Sequence, residues 1–258
     1  MPTFQASDGI TLSYSSWGAG PLVVLHHGFI ANSRTNWVLP GIVDAVVAAG
    51  RRVVAIDARG HGESDKPHDP AYYGESRMAD DVIALADLLD EPAGYDLVGY
   101  SMGAIVSLIV ATRDSRVRSV VAAGVGSAVV ELGGVDTRAV GKDAMPDALL
   151  ADDPATISPA AAGFRAFADA VGGDRVALAA QARALHASPI PLDTITVPAL
   201  VLAGRDDHLA TRPEVLADAI PGAVLRVVPG DHLGAVLEPD FLHALTGFLG
   251  ERADTTTA

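Results

Sequence analysis

The chain has 258 residues, 49 % of them hydrophobic and 19 % charged, enough for a large α/β domain with a sizeable core. Its 32 acidic and 18 basic residues leave a net charge of −14, which argues against nucleic acid and anionic membrane surfaces as partners. With no cysteine, disulfides, thiol catalysis and cysteine-held metals are excluded. No apolar run reaches the length of a membrane span and no basic-plus-apolar leader opens the sequence, so the cytoplasm is the expected location.

Residues 3–6 and 10–16 read as strands joined at Asp8-Gly9, a hairpin dipeptide. Residues 22–26 are continuously apolar, as a strand buried on both faces requires, and run into His27-Gly28-Phe29. Residues 41–49 read as a helix closed by Gly50, and 52–56 as the next buried strand, followed by the loop 57–65. An amphipathic helix over 75–89 leads to a short strand at 95–98, the turn Gly99-Tyr100-Ser101-Met102-Gly103 and an apolar helix over 104–111. A strand at 117–123 follows.

The alternation resumes late, with strands at 198–203 and 223–228 and helices at 213–220 and 239–249. The tail 252–258 is polar and expected to be mobile. Such alternation implies an α/β architecture with a mostly parallel sheet of about eight strands. Residues 127–196 differ: they carry no clear strand, helical stretches at 161–171 and 174–187, and breaks at Gly133-Gly134, Pro146, Pro154, Pro159 and Gly172-Gly173. They read as a helical insertion between two parts of one core domain, residues 1–126 and 197–258, placed over the sheet edge where open α/β sheets bind ligands.

Strand, G-x-S-x-G and helix together form a nucleophile elbow at Ser101. A serine on so sharp a turn needs a strained backbone, and side chains two residues before or after it would collide with their neighbours. Ser101 also opens a helix, so the N–H of Met102 is placed to stabilise developing negative charge. A serine hydroxyl needs a base, and an imidazole oriented by a carboxylate is the usual one. Of eight histidines, His232 lies in a short loop just past the last strand, on the same sheet edge as Ser101. For the carboxylate, Asp206 and Asp207 both follow the strand ending near Ala203, and their side chains diverge, so one of them faces His232.

These blocks resemble the α/β-hydrolase-fold enzymes with a small helical cap. The resemblance runs through nearly all of residues 3–250 and is carried by His27-Gly28-Phe29, the loop 57–64, the Ser101 turn, Gly204-Arg205-Asp206-Asp207 and Gly230-Asp231-His232. It implies that Asp207 is the acid, that the N–H of Phe29 joins that of Met102 in an oxyanion hole, that 127–196 is the cap, and that the Asp57 loop is structural. Asp231 departs from the small residue often found before the histidine; it either raises the pKa of His232 or points to water.

The expected activity is that of a serine esterase acting on a small-molecule ester, with Ser101, Asp207 and His232 as catalytic residues. Cleavage of a C–C bond, thioester or lactone, or cofactor-free perhydrolysis, is the rival on the same residues. A receptor or binding protein that keeps the triad is the rival from another class. Serine at the elbow argues against dehalogenase and epoxide hydrolase chemistry, which needs a carboxylate nucleophile. Ile30, Tyr100, Phe164, Phe167, Leu209 and Leu233 are pocket candidates, although packing of the insertion on the sheet is the first reading for Phe164 and Phe167.

No cofactor or metal is implied. Gly124-Val125-Gly126 lacks the third glycine of a dinucleotide loop. Gly141-Lys142-Asp143 lacks the rest of a phosphate loop, and adjacent His26 and His27 on a strand face opposite sides. Oligomeric state has no sequence signature here.

Overall fold

The computed structural model describes residues 1–141 and 143–253. Eight strands form one sheet: β1 (Thr3–Gln5), β2 (Thr11–Trp17), β3 (Leu22–His26), β4 (Arg52–Asp57), β5 (Tyr95–Tyr100), β6 (Val117–Ala123), β7 (Ala199–Gly204) and β8 (Val224–Val228). Their spatial order is β1-β2-β4-β3-β5-β6-β7-β8. Only β1–β2 and β2–β4 pair antiparallel; every later pairing is parallel. The chain winds from β3 outward to β4, then returns past β3 to β5. That reversal opens a crevice beyond the carboxyl ends of β3 and β5, where doubly wound sheets bind ligands.

Alternation along each strand divides the core in two. Val24, Val54, Leu97, Val120 and Val201 face one side, where they meet α2 (Glu75–Leu89), α3 (Met102–Ala111) and α9 (Pro213–Ala219). Val23, Val53, Val98, Val121 and Leu202 face the other, against α1 (Ile42–Ala48) and α10 (Pro239–Ala253). Every residue of β3, β5 and β7 is buried, which explains why these runs are mostly apolar; the charged exception, Asp96 in β5, is paired with Arg51, Arg118 and Ser119. β8, at the edge, is mostly exposed.

Between β6 and β7 lie α4 (Ser127–Leu132), α5 (Thr137–Val140), α6 (Ala144–Leu150), α7 (Pro159–Ala170) and α8 (Arg175–Ala182), with no strand among the described residues. α7 starts on a proline at its first turn, and Asp174 caps α8 by accepting from the N–H groups of Val176 and Ala177. Leu149, Ala168, Leu178 and Ala179 from these helices enclose Ile30 and so seat the insertion on the loop after β3.

The structure departs from expectation in four places. A wide helical turn at Arg34–Val38 was not foreseen. Neither were α4, α5 and α6, which are too short for helical periodicity to register. α8 stops at Ala182 rather than 187. The last helix continues through Ala253, so Arg252 and Ala253 are not part of a tail, and residues 254–258 lie outside the described residues. Among the described residues no helix is long and apolar enough to cross a membrane.

The turn from β5 to α3 is the tightest packing in the sheet. A Cβ on Gly99 would lie 2.0 Å from the carbonyl oxygen of Gly103, and one on Gly103 would lie 2.1 Å from that of His26. Both obstacles are backbone atoms that cannot swing aside. Gly103→Ala is therefore expected to destabilise the fold by about 3 kcal/mol or more. Gly163→Ala, on α7 with open space around it, is expected to stabilise by about 0.5–1 kcal/mol. Urea denaturation of the two variants beside the parent protein checks both signs.

Candidate active site

Ser101 occupies that turn with φ 54° and ψ −113°, a conformation rare for a residue with a side chain. Its N–H donates to the carbonyl of Ala123 at 2.7 Å, which ties the turn to β6. α3 begins directly after it, and among the described residues the N–H of Met102 has no acceptor. The serine is 8 % exposed, at the floor of the crevice.

His232 arrives from the loop after β8. The hydroxyl of Tyr100, next to Ser101, donates to the backbone carbonyl of His232 at 2.6 Å, so the elbow strand itself holds the histidine loop. Asp231 Oδ1 accepts from the N–H groups of Leu233 (3.1 Å) and Gly234 (2.8 Å). Its carboxylate thus closes the loop locally. Asp207, at the end of β7, accepts from His232 Nδ1 at 2.9 Å, and its Oδ1 also accepts from the N–H groups of Leu209 and Ala210. An ionised carboxylate only accepts, so Nδ1 carries the proton and Nε2 is left as an acceptor. Nε2 lies 3.0 Å from Ser101 Oγ. Ser101, His232 and Asp207 therefore form one continuous hydrogen-bonded row, buried along its length. Asp206, the alternative acid, is exposed.

The loop after β3 faces the serine from the other side. A Cβ on Gly28 would meet the Ser101 Cβ at 3.4 Å, so the backbone here approaches closely. The Gly28 N–H donates to Asn36 Oδ1 at 2.8 Å, and the Ile30 N–H donates to His61 Nε2 at 3.1 Å. The N–H of Phe29, between these two anchored amides, has no acceptor among the described residues. Asn36 comes from the unforeseen helical turn at Arg34–Val38, and nothing in its sequence neighbourhood marks it.

Three buried histidines frame this loop. The Ala58 N–H donates to His27 Nε2 at 2.9 Å, so the His27 Nδ1–H donates to the Gly28 carbonyl at 2.8 Å. His61 likewise donates from Nδ1 to the Arg59 carbonyl at 2.9 Å. Burial, with each of these histidines disfavouring a proton on its neighbour, lowers the pKa of His26 to about 3 and those of His27 and His61 to about 4. Asp57 completes the frame: its two oxygens accept from the N–H groups of Ser33 (2.8 Å) and Glu63 (3.0 Å).

Two cavities meet at Ser101. The larger, about 230 Å³, is lined by Tyr100, Phe164, Phe167, His232 and Leu233, among others. The smaller, about 80 Å³, extends beneath the insertion past Met102, Phe164 and Leu209 to Glu75 and Gln181. Phe29 borders both. Of the pocket candidates, Tyr100, Phe164, Phe167, Leu209 and Leu233 line one or both cavities. Phe164 and Phe167 also pack against the cluster that seats the insertion. Ile30 lines neither cavity: with a φ of 71° it is 2 % exposed, enclosed by the apolar side chains of α6, α7 and α8. No group of three or more histidine and acidic residues able to hold a metal ion occurs among the described residues.

The family model for the alpha/beta hydrolase fold matches residues 21–154. A 2-(acetamidomethylene)succinate hydrolase from Mesorhizobium japonicum is 28 % identical over 93 % of this chain and 92 % of its own length. An epoxide hydrolase from Caballeronia sordidicola is 36 % identical, but the match spans 38 % of this chain and only 29 % of the relative. Among solved structures, a hydrolase from Pseudomonas aeruginosa PA01 superimposes with a TM-score of 0.79 at 28 % identity, covering 96 % of this chain and 98 % of that one.

The histidine frame has a consequence for stability. Below pH 6.5 an unfolded chain protonates His26, His27 and His61, whereas the fold keeps them neutral down to about 3, 4 and 4. Each such proton costs the fold about 1.4 kcal/mol per pH unit. Glu75, raised by burial to about 6, works in the opposite direction between that value and 4.5, but is one group against three. The melting temperature is expected to fall steeply from pH 6.5 to 4.5, and His61→Asn is expected to flatten that slope. Calorimetry across the range checks it.

Proposed function

The chain belongs to the alpha/beta hydrolase family, and from that premise we propose that it is a serine hydrolase, a carboxylesterase that cleaves small to medium esters through an acyl-enzyme. The observation that carries this reading is the row from Ser101 Oγ through His232 to Asp207, with contacts of 3.0 and 2.9 Å. His232 Nε2 takes the hydroxyl proton as Ser101 Oγ attacks the ester carbonyl carbon. Asp207 fixes the tautomer and stabilises the imidazolium. The carbonyl π electrons move onto oxygen, and the unoccupied amides of Phe29 and Met102 receive the oxyanion; one such donor is typically worth about 2.7–4 kcal/mol. The tetrahedral adduct collapses, the alcohol leaves with the proton from His232, and water, deprotonated by His232, releases the acid.

Substrate orientation follows from proton delivery. The leaving oxygen must lie within reach of His232, so the alcohol occupies the larger chamber, which His232 lines. The acyl group occupies the smaller one, which Met102 lines and His232 does not. Residues 127–196 act as a cap: Phe164 borders both chambers and, with Phe167, shields the reacting centre. Ring opening of an epoxide through an alkyl-enzyme ester needs a carboxylate at the elbow, and a serine stands there. The residue set requires no cofactor.

On 4-nitrophenyl butanoate, Ser101→Ala is expected to lower kcat/KM by about 10,000-fold or more. Unchanged turnover by that variant, or no turnover by the wild type of any ester or lactone in a chain-length series, contradicts the reading. Asn36→Ala frees the Gly28 amide and lets the Phe29 N–H drift. It is expected to lower kcat by about 10- to 100-fold with KM little changed, since misplacement by an ångström is that costly. Steady-state kinetics of the folded variant checks the split.

A further inference from the structure

Two polar side chains that the apolar walls do not require line the acyl chamber. Glu75 and Gln181 both line it, and each is 2 % exposed. Glu75 Oε2 accepts from the His186 N–H at 2.6 Å, but Oε1 has no hydrogen-bond partner among the described residues. Gln181 Nε2 lies against the Met102 sulfur, and its Oε1 likewise has no partner among the described residues. A buried acceptor left unpaired costs about 1–3 kcal/mol, so a fold that keeps two of them in one small cavity retains a cost that a donor entering the cavity would remove. Asp136 also lines the chamber, but both of its oxygens are held by the Arg138 guanidinium at 2.8 Å. Thr137 adds a hydroxyl to the lining, and Met145, Phe164 and Leu209 offer a substrate apolar contact. Burial holds the Glu75 carboxyl above the ordinary range, at about 6, as an acid without a counter-charge would be.

We infer that Glu75 and Gln181 form the acyl-specificity site, reading a hydrogen-bond donor, a hydroxyl or an amine, on the acyl part of the substrate. The preferred substrates are esters of short hydroxy or amino acids rather than of plain fatty acids. Both residues are binding residues for the acyl group and take no part in bond making. Discrimination by such a site exceeds that of an apolar pocket, because an acyl chain lacking the donor leaves both oxygens buried and unpaired.

The inference rests on the serine-hydrolase reading, and the experiment separates the two. The 4-nitrophenyl esters of 3-hydroxypropanoate and butanoate, and of 3-hydroxybutanoate and 3-methylbutanoate, form pairs in which a hydroxyl replaces a methyl group. Each rate is normalised to its hydroxide-catalysed hydrolysis. The wild type is expected to favour at least one hydroxy ester by tenfold or more in kcat/KM, and Gln181→Leu and Glu75→Gln are each expected to shrink that ratio at least threefold. 4-Nitrophenyl acetate, which places nothing in the chamber, reports the parent reading. If acetate is hydrolysed and the wild-type ratios lie at or below one, the inference falls and the hydrolase reading stands. If acetate and every other ester go unhydrolysed, both fall. Should either variant fail to fold, the wild-type ratios alone decide.

Discussion

The site depends on how closely the backbone approaches itself at the β5–α3 turn. Gly99 and Gly103 lie so near the neighbouring main chain that a single added carbon would overlap a carbonyl oxygen. That proximity holds Ser101 at φ 54°, lifts its hydroxyl out of the sheet edge, and starts α3 one residue later with a free amide. The strain is tolerated because the turn is locked from several sides: the Ser101 N–H onto β6, the Tyr100 hydroxyl onto the His232 loop, and α3 buried from Met102 through Val110.

Around this fixed point the remaining groups are oriented by backbone hydrogen bonds rather than by their own side-chain preferences. Asp207 is held by two amides, the His232 loop by Asp231 and Tyr100, and the loop at Phe29 by Asn36 and His61. The buried histidines suit this role because a neutral imidazole with one donor and one acceptor defines the direction of both bonds. Donors fixed before a substrate arrives need no reorganisation when charge develops, which is where electrostatic stabilisation gains its size.

Much of this architecture was legible in the chain. An uninterrupted apolar run marked β3 because that strand is covered on both faces, and the glycine-serine-glycine spacing marked the turn because only glycine fits there. The order of Ser101, Asp207 and His232 along the alternating pattern pointed to one sheet edge, and their side chains do lie in one hydrogen-bonded row. What was not legible depends on tertiary packing. Asn36 sits in a helical turn with no periodic signature. The short helices α4 to α6 pack against neighbouring helices, α4 on α9 and α5 and α6 on α7, and owe their form to that packing rather than to pattern. Ile30 follows Phe29 directly in sequence, yet it is enclosed by the helices between β6 and β7. Glu75 looks like an ordinary acid in a helix's first turn, where it favours the dipole; only the insertion folding over it makes it a buried, half-partnered group.

The central claim is that Ser101 is the nucleophile of a hydrolase whose base is His232. Covalent capture by a fluorophosphonate, located by peptide mass spectrometry, tests it most directly. The account predicts a single adduct on the peptide carrying Ser101, formed rapidly by the wild type and suppressed by His232→Ala. An adduct on another residue, or none while the protein still hydrolyses esters, would contradict it.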